Sequence, residues 1–396
     1  MRFRWVILFF LLLPAAVMAQ GGFITGNVTN AETKNAIPGA SVFLSNSSFG
    51  TSTTESGKYV LNGVRPGQYT LTVTLLGYED YASTILVGRE PLKLDIALKP
   101  KPLMLKEVVI SSAADWKKNY EAFRKDFIGT DENAKNCVVT NPHVLNLAFN
   151  RTKQTLEANS DEFLVVDNKA LGYRVKFLLK DFQSDHLANV IAYGGERLFE
   201  ELPGSAAQKK KWHQKREEAY YGSAMHFFRS LYTNKLTEDG FVMYHLTRQL
   251  NPNRPPEDVI RQKAKMFYER RMKDSLDYWN SLATLSKYYK ESLSKIPVMP
   301  YEVYQTTDKS GIFAFKPLNY LYVVYTKKRD EVYNKDLYRP LDMPNYEVSV
   351  VTMFDPGYSL FDMNGIIISQ PPLLEGAWAK SRLSDLLPVD YVPDVK

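Results

Sequence analysis

The chain has 396 residues, 50 Lys and Arg against 44 Asp and Glu, and one cysteine. A net charge of +6, with basic residues interleaved among acids, argues against a nucleic-acid-binding stripe. Cys137 alone excludes an internal disulfide and any cysteine metal cluster, and the length suffices for two domains with their own cores.

Residues 1–19 read as a secretory signal. Arg2 and Arg4 precede an apolar run from Trp5 to Leu13, and Val17-Met18-Ala19 forms a small-residue cleavage site. The run is too short to cross a bilayer of about 30 Å, and no later segment reaches about 18 consecutive apolar residues. No transmembrane segment is therefore expected in the mature chain. No Cys stands at the cleavage point, so lipid attachment is not expected either.

From Gly22 to Pro100 short alternating runs follow, at 23–28, 38–44, 57–61, 66–73 and 92–98, each broken by Gly, Pro or Asn. Period-two runs at regular spacing predict a small antiparallel β-sandwich, an architecture that usually holds, spaces or binds. Gly57, Gly67 and Gly77 stand where hairpin connections favour positive φ. The ordered motifs Ile37-Pro38-Gly39-Ala40-Ser41-Val42, Gly57-Lys58-Tyr59, Pro66-Gly67-Gln68-Tyr69 and Leu76-Gly77-Tyr78 resemble the carboxypeptidase-D regulatory-like domain. The resemblance covers residues 20–100. It implies a prealbumin-like sandwich, common in cell-envelope proteins of the Bacteroidetes, and no peptidase activity in the module itself.

Residues 101–114 are expected to be a connector carrying one strand, Leu105 to Ser111. A similar Glu-Val-Val segment follows this module in TonB-dependent receptors, where it docks by strand addition. Here no barrel pattern of long alternating strands follows it. Residues 115–396 read as a larger α+β domain of unknown function, with an antiparallel sheet and two long helices. Trp116, Tyr120, Phe123 and Phe127 repeat at helical spacing. Strands are expected at 144–150, 163–166, 173–179 and 186–193, a helix at 206–232 and a strand at 241–246. A second long helix starts at Pro255-Pro256 with the apolar stripe Ile260, Ala264, Phe267, Met272, Leu276, Trp279 and Ala283. Glu257 with Arg261 and Glu269 with Lys273 have pairing distance along it. Strands follow at 312–315, 320–325, 348–353 and 366–369. The ending 383–393 looks like that of uncharacterised proteins with the same module.

Catalytic signatures are sparse. The residues three after the five histidines are Asn146, Asn189, Arg216, Arg229 and Arg248, so neither His-x-x-Glu nor His-Glu-x-x-His occurs. No Gly-x-Ser-x-Gly elbow, phosphate loop, dinucleotide fingerprint or calcium loop is present, and no cofactor is expected. Acid pairs such as Asp161-Glu162 and Glu200-Glu201 leave a two-carboxylate glycosidase open.

At helical spacing Trp212, Arg216, Ala219, Ser223, His226 and Ser230 fall on one stripe, with Tyr220 and Phe227 beside it. Trp212, Arg216, Tyr220, Ser223 and His226 are thus candidates to bind an acidic or sugar-like group. The alternative is packing, with Gly222, Ser223 and Ala224 allowing close approach and Arg216 and His226 satisfying buried groups. The 25 tyrosines and the polar-faced second helix suit a partner surface. The expectation is a non-enzymatic, exported accessory or binding protein of the periplasm or outer-membrane periphery that engages an envelope protein. Glycan or peptidoglycan binding is the alternative, with hydrolysis a remote variant.

Overall fold

The computed structural model describes residues 22–88, 90–101, 113–151, 153–330, 337–354 and 357–394. The expected signal segment and the connecting strand at 105–111 lie outside them. The N-terminal module is a sandwich of two four-stranded sheets. In one, Gly22–Asn30 pairs with Lys58–Val64 on one side and with Leu92–Lys93 and Ile96–Leu98 on the other. The other has the order Gly50–Ser52, Ser41–Leu44, Gly67–Thr74, Tyr81–Val87. Ile24, Val28, Val42, Leu71 and Val73 point between the sheets and form the core.

Two of these strands carry little sequence signal. Gly50–Ser52 is too short for a period, and Tyr81–Val87 carries Ala82, Ser83 and Thr84 in its first half. The ladders are mostly antiparallel as expected, but Leu92–Lys93 and Ile96–Leu98 run parallel to Gly22–Asn30. Between them Asp95 leaves the ladder, and its carboxylate accepts from the backbone and side-chain amides of Asn27, both at 2.9 Å. Leu94 O crosses Gly26 so closely that a Cβ there would lie 1.7 Å away. Gly57 and Gly77 have φ of 74° and 88°, whereas Gly67, at 159°, is nearly extended.

In the α+β part a six-stranded sheet is built around the long strand Tyr173–Asp185, which pairs along its length with Val190–Glu201. The second of these was expected to end at Gly194-Gly195. It passes through them, because a bulge between Leu179 and Asp181 brings Gly195 where a Cβ would meet Leu178 O at 2.1 Å. Helix Ala113–Ile128 covers this sheet, and Phe123 and Phe127 are fully buried. Phe127 meets Phe177 and Tyr193 edge-on, both at 5.2 Å. Burial contributes about 2–3 kcal/mol per ring. Cys137 is buried in the same core, and burial pushes its thiol up to about 12.

A five-stranded sheet follows in the order Tyr288–Pro297, Phe241–Leu250, Tyr320–Arg329, Tyr346–Thr352, Leu373–Gly376, with a three-stranded sheet beside it. The strand expected at 366–369 is reduced to one bridge, Ile367 to Phe361. Each long helical segment is divided into two. Glu257–Glu269 and Lys273–Ala283 are separated by Arg271 at φ 56°. Glu257 pairs with Arg261 at 3.6 Å, but Glu269 meets Lys265 at 3.9 Å instead of Lys273. No described helix is long and apolar enough to cross a membrane.

The module is bonded to the α+β part rather than tethered by a loose chain. Asn46 N donates to Arg197 O at 2.7 Å and Phe199 N to Ser47 O at 2.9 Å. The C-terminal residues 383–394 form a strap across both parts. Leu383, Leu387 and Tyr391 enter the α+β core, while Val389 enters the sandwich core.

Candidate functional site

The helix expected at 206–232 is in fact Ala206–Tyr220 followed by Ala224–Tyr232. Gly222 adopts φ 89° at the break, and a Cβ there would lie 2.7 Å from the Tyr325 ring. Ser223 then acts as the N-cap of the second helix, its hydroxyl accepting from His226 N at 3.1 Å. A side-chain cap of this kind satisfies an otherwise orphan helix-start amide. The single stripe assumed from 100° spacing therefore does not exist, and its members part company.

Trp212 and Arg216 face the turn at 169–173. Trp212 Nε1 donates to Lys169 O at 2.9 Å, and its ring lies where a Cβ on Gly172 or Gly204 would sit. Arg216 donates to Leu171 O at 2.7 Å and to Gly172 O at 3.3 Å, pairs with Glu201 at 3.0 Å and stacks over Tyr173. These contacts hold a turn. Trp212→Phe is expected to lose about 1–2 kcal/mol by orphaning the Lys169 carbonyl, read as a lower denaturation midpoint; an unchanged midpoint would contradict this role.

Tyr220 and His226 come together on the other side, with ring centroids 4.9 Å apart. They line a cleft of about 1300 Å³ whose wall also includes Tyr221, Tyr232 and Tyr325. Arg65 from the module and Val389, Val392, Pro393 and Asp394 of the strap complete it, so distant segments build one concavity. Glu217, Asp239, Lys235 and Lys327 give its rim both signs of charge.

His226 is buried. Its Nδ1 accepts from Gly222 N at 3.2 Å, which leaves the proton of the neutral ring on Nε2, 3.8 Å from Asp239 Oδ2. Burial pulls its pKa down to about 4 despite Asp239 nearby. Ser230 Oγ lies 2.6 Å from Asp239 Oδ2 and 2.8 Å from His226 O. The hydroxyl thus faces a carboxylate and a backbone carbonyl. It does not face an imidazole nitrogen, and the ring's lone-pair nitrogen is occupied, so this Ser-His-Asp grouping lacks the hydrogen bond that activates a nucleophile. Burial, reinforced by Glu347, pushes the Tyr325 phenol up to about 12 and keeps it neutral.

Arg229 lies outside the five candidates. It donates to Asn364 O at 2.9 Å, Tyr391 O at 2.9 Å and Val389 O at 2.8 Å, tying the strap to the cleft floor. The strap is further fixed by Val389 N donating to Asn46 O at 2.7 Å and by Ser48 N donating to Asp390 at 2.8 Å. Only an arginine in the middle of an apolar helix hinted at this.

Residues 24–110 match the CarboxypepD_reg-like domain. The N-terminal module is a CarboxypepD_reg-like domain. No curated protein matches the chain. Among solved structures, the pilus 2b backbone protein of group B streptococcus is 17% identical, with a TM-score of 0.19 over 21% of this chain and 42% of that one. The major pilin subunit of Bacillus cereus is 19% identical, with a TM-score of 0.18 over 21% and 31%. A putative carbohydrate binding protein from Bacteroides uniformis is 11% identical, with a TM-score of 0.18 over 36% and 52%. The chain thus spans less than half the length of the first of these.

Proposed function

We propose that this chain is a non-enzymatic accessory or binding protein of the bacterial cell envelope, exported by its N-terminal segment, with the cleft as its contact site for another envelope protein. The supporting observation is the cleft itself, concave, walled by tyrosines and shared between the CarboxypepD_reg-like domain and the α+β part. Tyrosines offer apolar area with a polar tip at low entropy cost. Arg229 at its floor and Asp239 at its rim are engaged in holding the fold.

A second reading, glycan binding, is favoured by the same four tyrosines, since sugar rings stack on aromatic faces. Sedimentation with insoluble peptidoglycan separates the two. On the leading reading the full chain stays in solution, and tagged protein solubilised from native envelopes carries one stoichiometric protein partner. Retention on peptidoglycan that Tyr221→Ala abolishes would transfer the cleft to glycans. Turnover of a peptide or sugar by the purified chain, abolished by His226→Gln, would overturn the non-enzymatic reading.

A further inference from the structure

Strands Phe241–Leu250 and Tyr288–Pro297 pair antiparallel with Leu250 opposite Tyr288. Strands placed so need a connection of about two to five residues. Residues 251–287 instead form a projecting pair of helices, Glu257–Glu269 and Lys273–Ala283. Its root is fixed: Arg261 meets Asp185 at 2.5 Å and Ile260 is fully buried. Below it, Arg248 lies between Tyr288 and Tyr320 and bonds Glu291 and Glu375 at 2.7 and 2.6 Å.

Away from the root burial stops, and the second helix has no buried residue. The tip exposes Tyr268 (44%) and Met272 (46%), and a hollow of about 450 Å³ opens among Phe267, Tyr268, Met272 and Leu276. Between 263 and 273 stand Lys263, Lys265, Arg270, Arg271 and Lys273, against Glu269 as the acid. The hairpin's ion pairs fall at Arg254, Arg261 and Lys265. Arg270, Arg271 and Lys273 are exposed. Asp274 and Asp277 follow on the second helix, the former in its first turn, where a carboxylate complements the helix start.

We infer that this tip docks on an anionic phospholipid surface, with Tyr268 and Met272 entering the headgroup layer and Arg270, Arg271 and Lys273 meeting lipid phosphates. Aromatic and apolar side chains ringed by bare cations make up an interfacial segment. The apolar centre of a protein interface is instead depleted of charge. The surface is separate from the cleft, so either assignment stands or falls alone.

The test is co-sedimentation of the full chain with phosphatidylglycerol-containing vesicles and with pure phosphatidylcholine vesicles. The chain should bind the anionic vesicles, bind the neutral ones far less, and lose binding as salt rises. Arg270→Glu, Arg271→Glu and Lys273→Glu together should weaken it by about a hundredfold or more. Tyr268→Asp with Met272→Asp should do the same with the charges intact. Circular dichroism checks folding, and the single Lys273→Glu variant serves if the triple one does not fold. Equal binding to both vesicles, binding to neither, or folded variants that bind like the parent would overturn the assignment.

Discussion

Arg229→Met is expected to cost about 3–5 kcal/mol and to free the C-terminal strap. Three backbone carbonyls from two separate segments, Asn364 and the pair Val389 and Tyr391, lose their donor at once. The cation also leaves the face of Tyr220, 5.4 Å away. Methionine fills the volume but donates nothing, so the carbonyls must rehydrate or stay orphaned. With Val389 no longer held in the sandwich core, the module should loosen against the α+β part. Denaturant unfolding reads the first effect and hydrogen exchange over 383–394 the second. Arg229→Lys should recover only part of the loss, since an ammonium has no rigid fork to reach three acceptors. A loss under about 1 kcal/mol with unchanged exchange would show that the strap is held by its apolar residues alone.

Acid titration should reveal a buried and a half-buried group of opposite sign. His226 has its folded pKa lowered to about 4 from 6.5, so between those values the unfolded chain binds the extra proton. Its contribution is full above the unfolded value and is lost as pH falls through 4, worth about 3 kcal/mol. Asp385 is pushed the other way, to about 6 from 3.8, first by burial and then by Asp131, although Asn133 donates to it at 2.8 Å. Its contribution is full below 3.8 and is lost as pH rises through 6, again about 3 kcal/mol. In the parent chain the two act against each other between pH 4 and 6, with burial of Asp362 pushing its carboxyl up in the same direction as Asp385. His226→Gln should therefore make stability rise as pH falls across that window, and Asp385→Asn should make it fall. Identical pH profiles for parent and both variants would refute the assignment.

The parts of the fold legible in the sequence are those with local causes. The alternation Tyr173, Val175, Phe177, Leu179 gave a strand, and Trp116 to Phe127 gave a helix, because one buried face imposes one period. Gly222-Ser223 held a legible stop and cap, overridden by the apolar spacing on either side. Arg271 carried no signal, since nothing in an arginine announces a left-handed turn. The parallel course of 92–98 depends on where a crossover returns, which no local pattern encodes. The cleft was the least legible feature. Arg65, Tyr220, Tyr325 and Val389 lie far apart in sequence and meet only in the folded chain. Of the five candidates, Tyr220 and His226 reach the cleft. Trp212, Arg216 and Ser223 support the backbone that shapes it.

The most direct measurement is photo-crosslinking in living cells with a reactive side chain at position 221, in the cleft wall, and at position 32, on the exposed far turn of the module. One discrete adduct with an envelope protein is expected from position 221, none from position 32, and loss of the adduct in Arg229→Met. Adducts of equal yield from both positions, or an adduct from 221 that survives release of the strap, would contradict the cleft as the contact site.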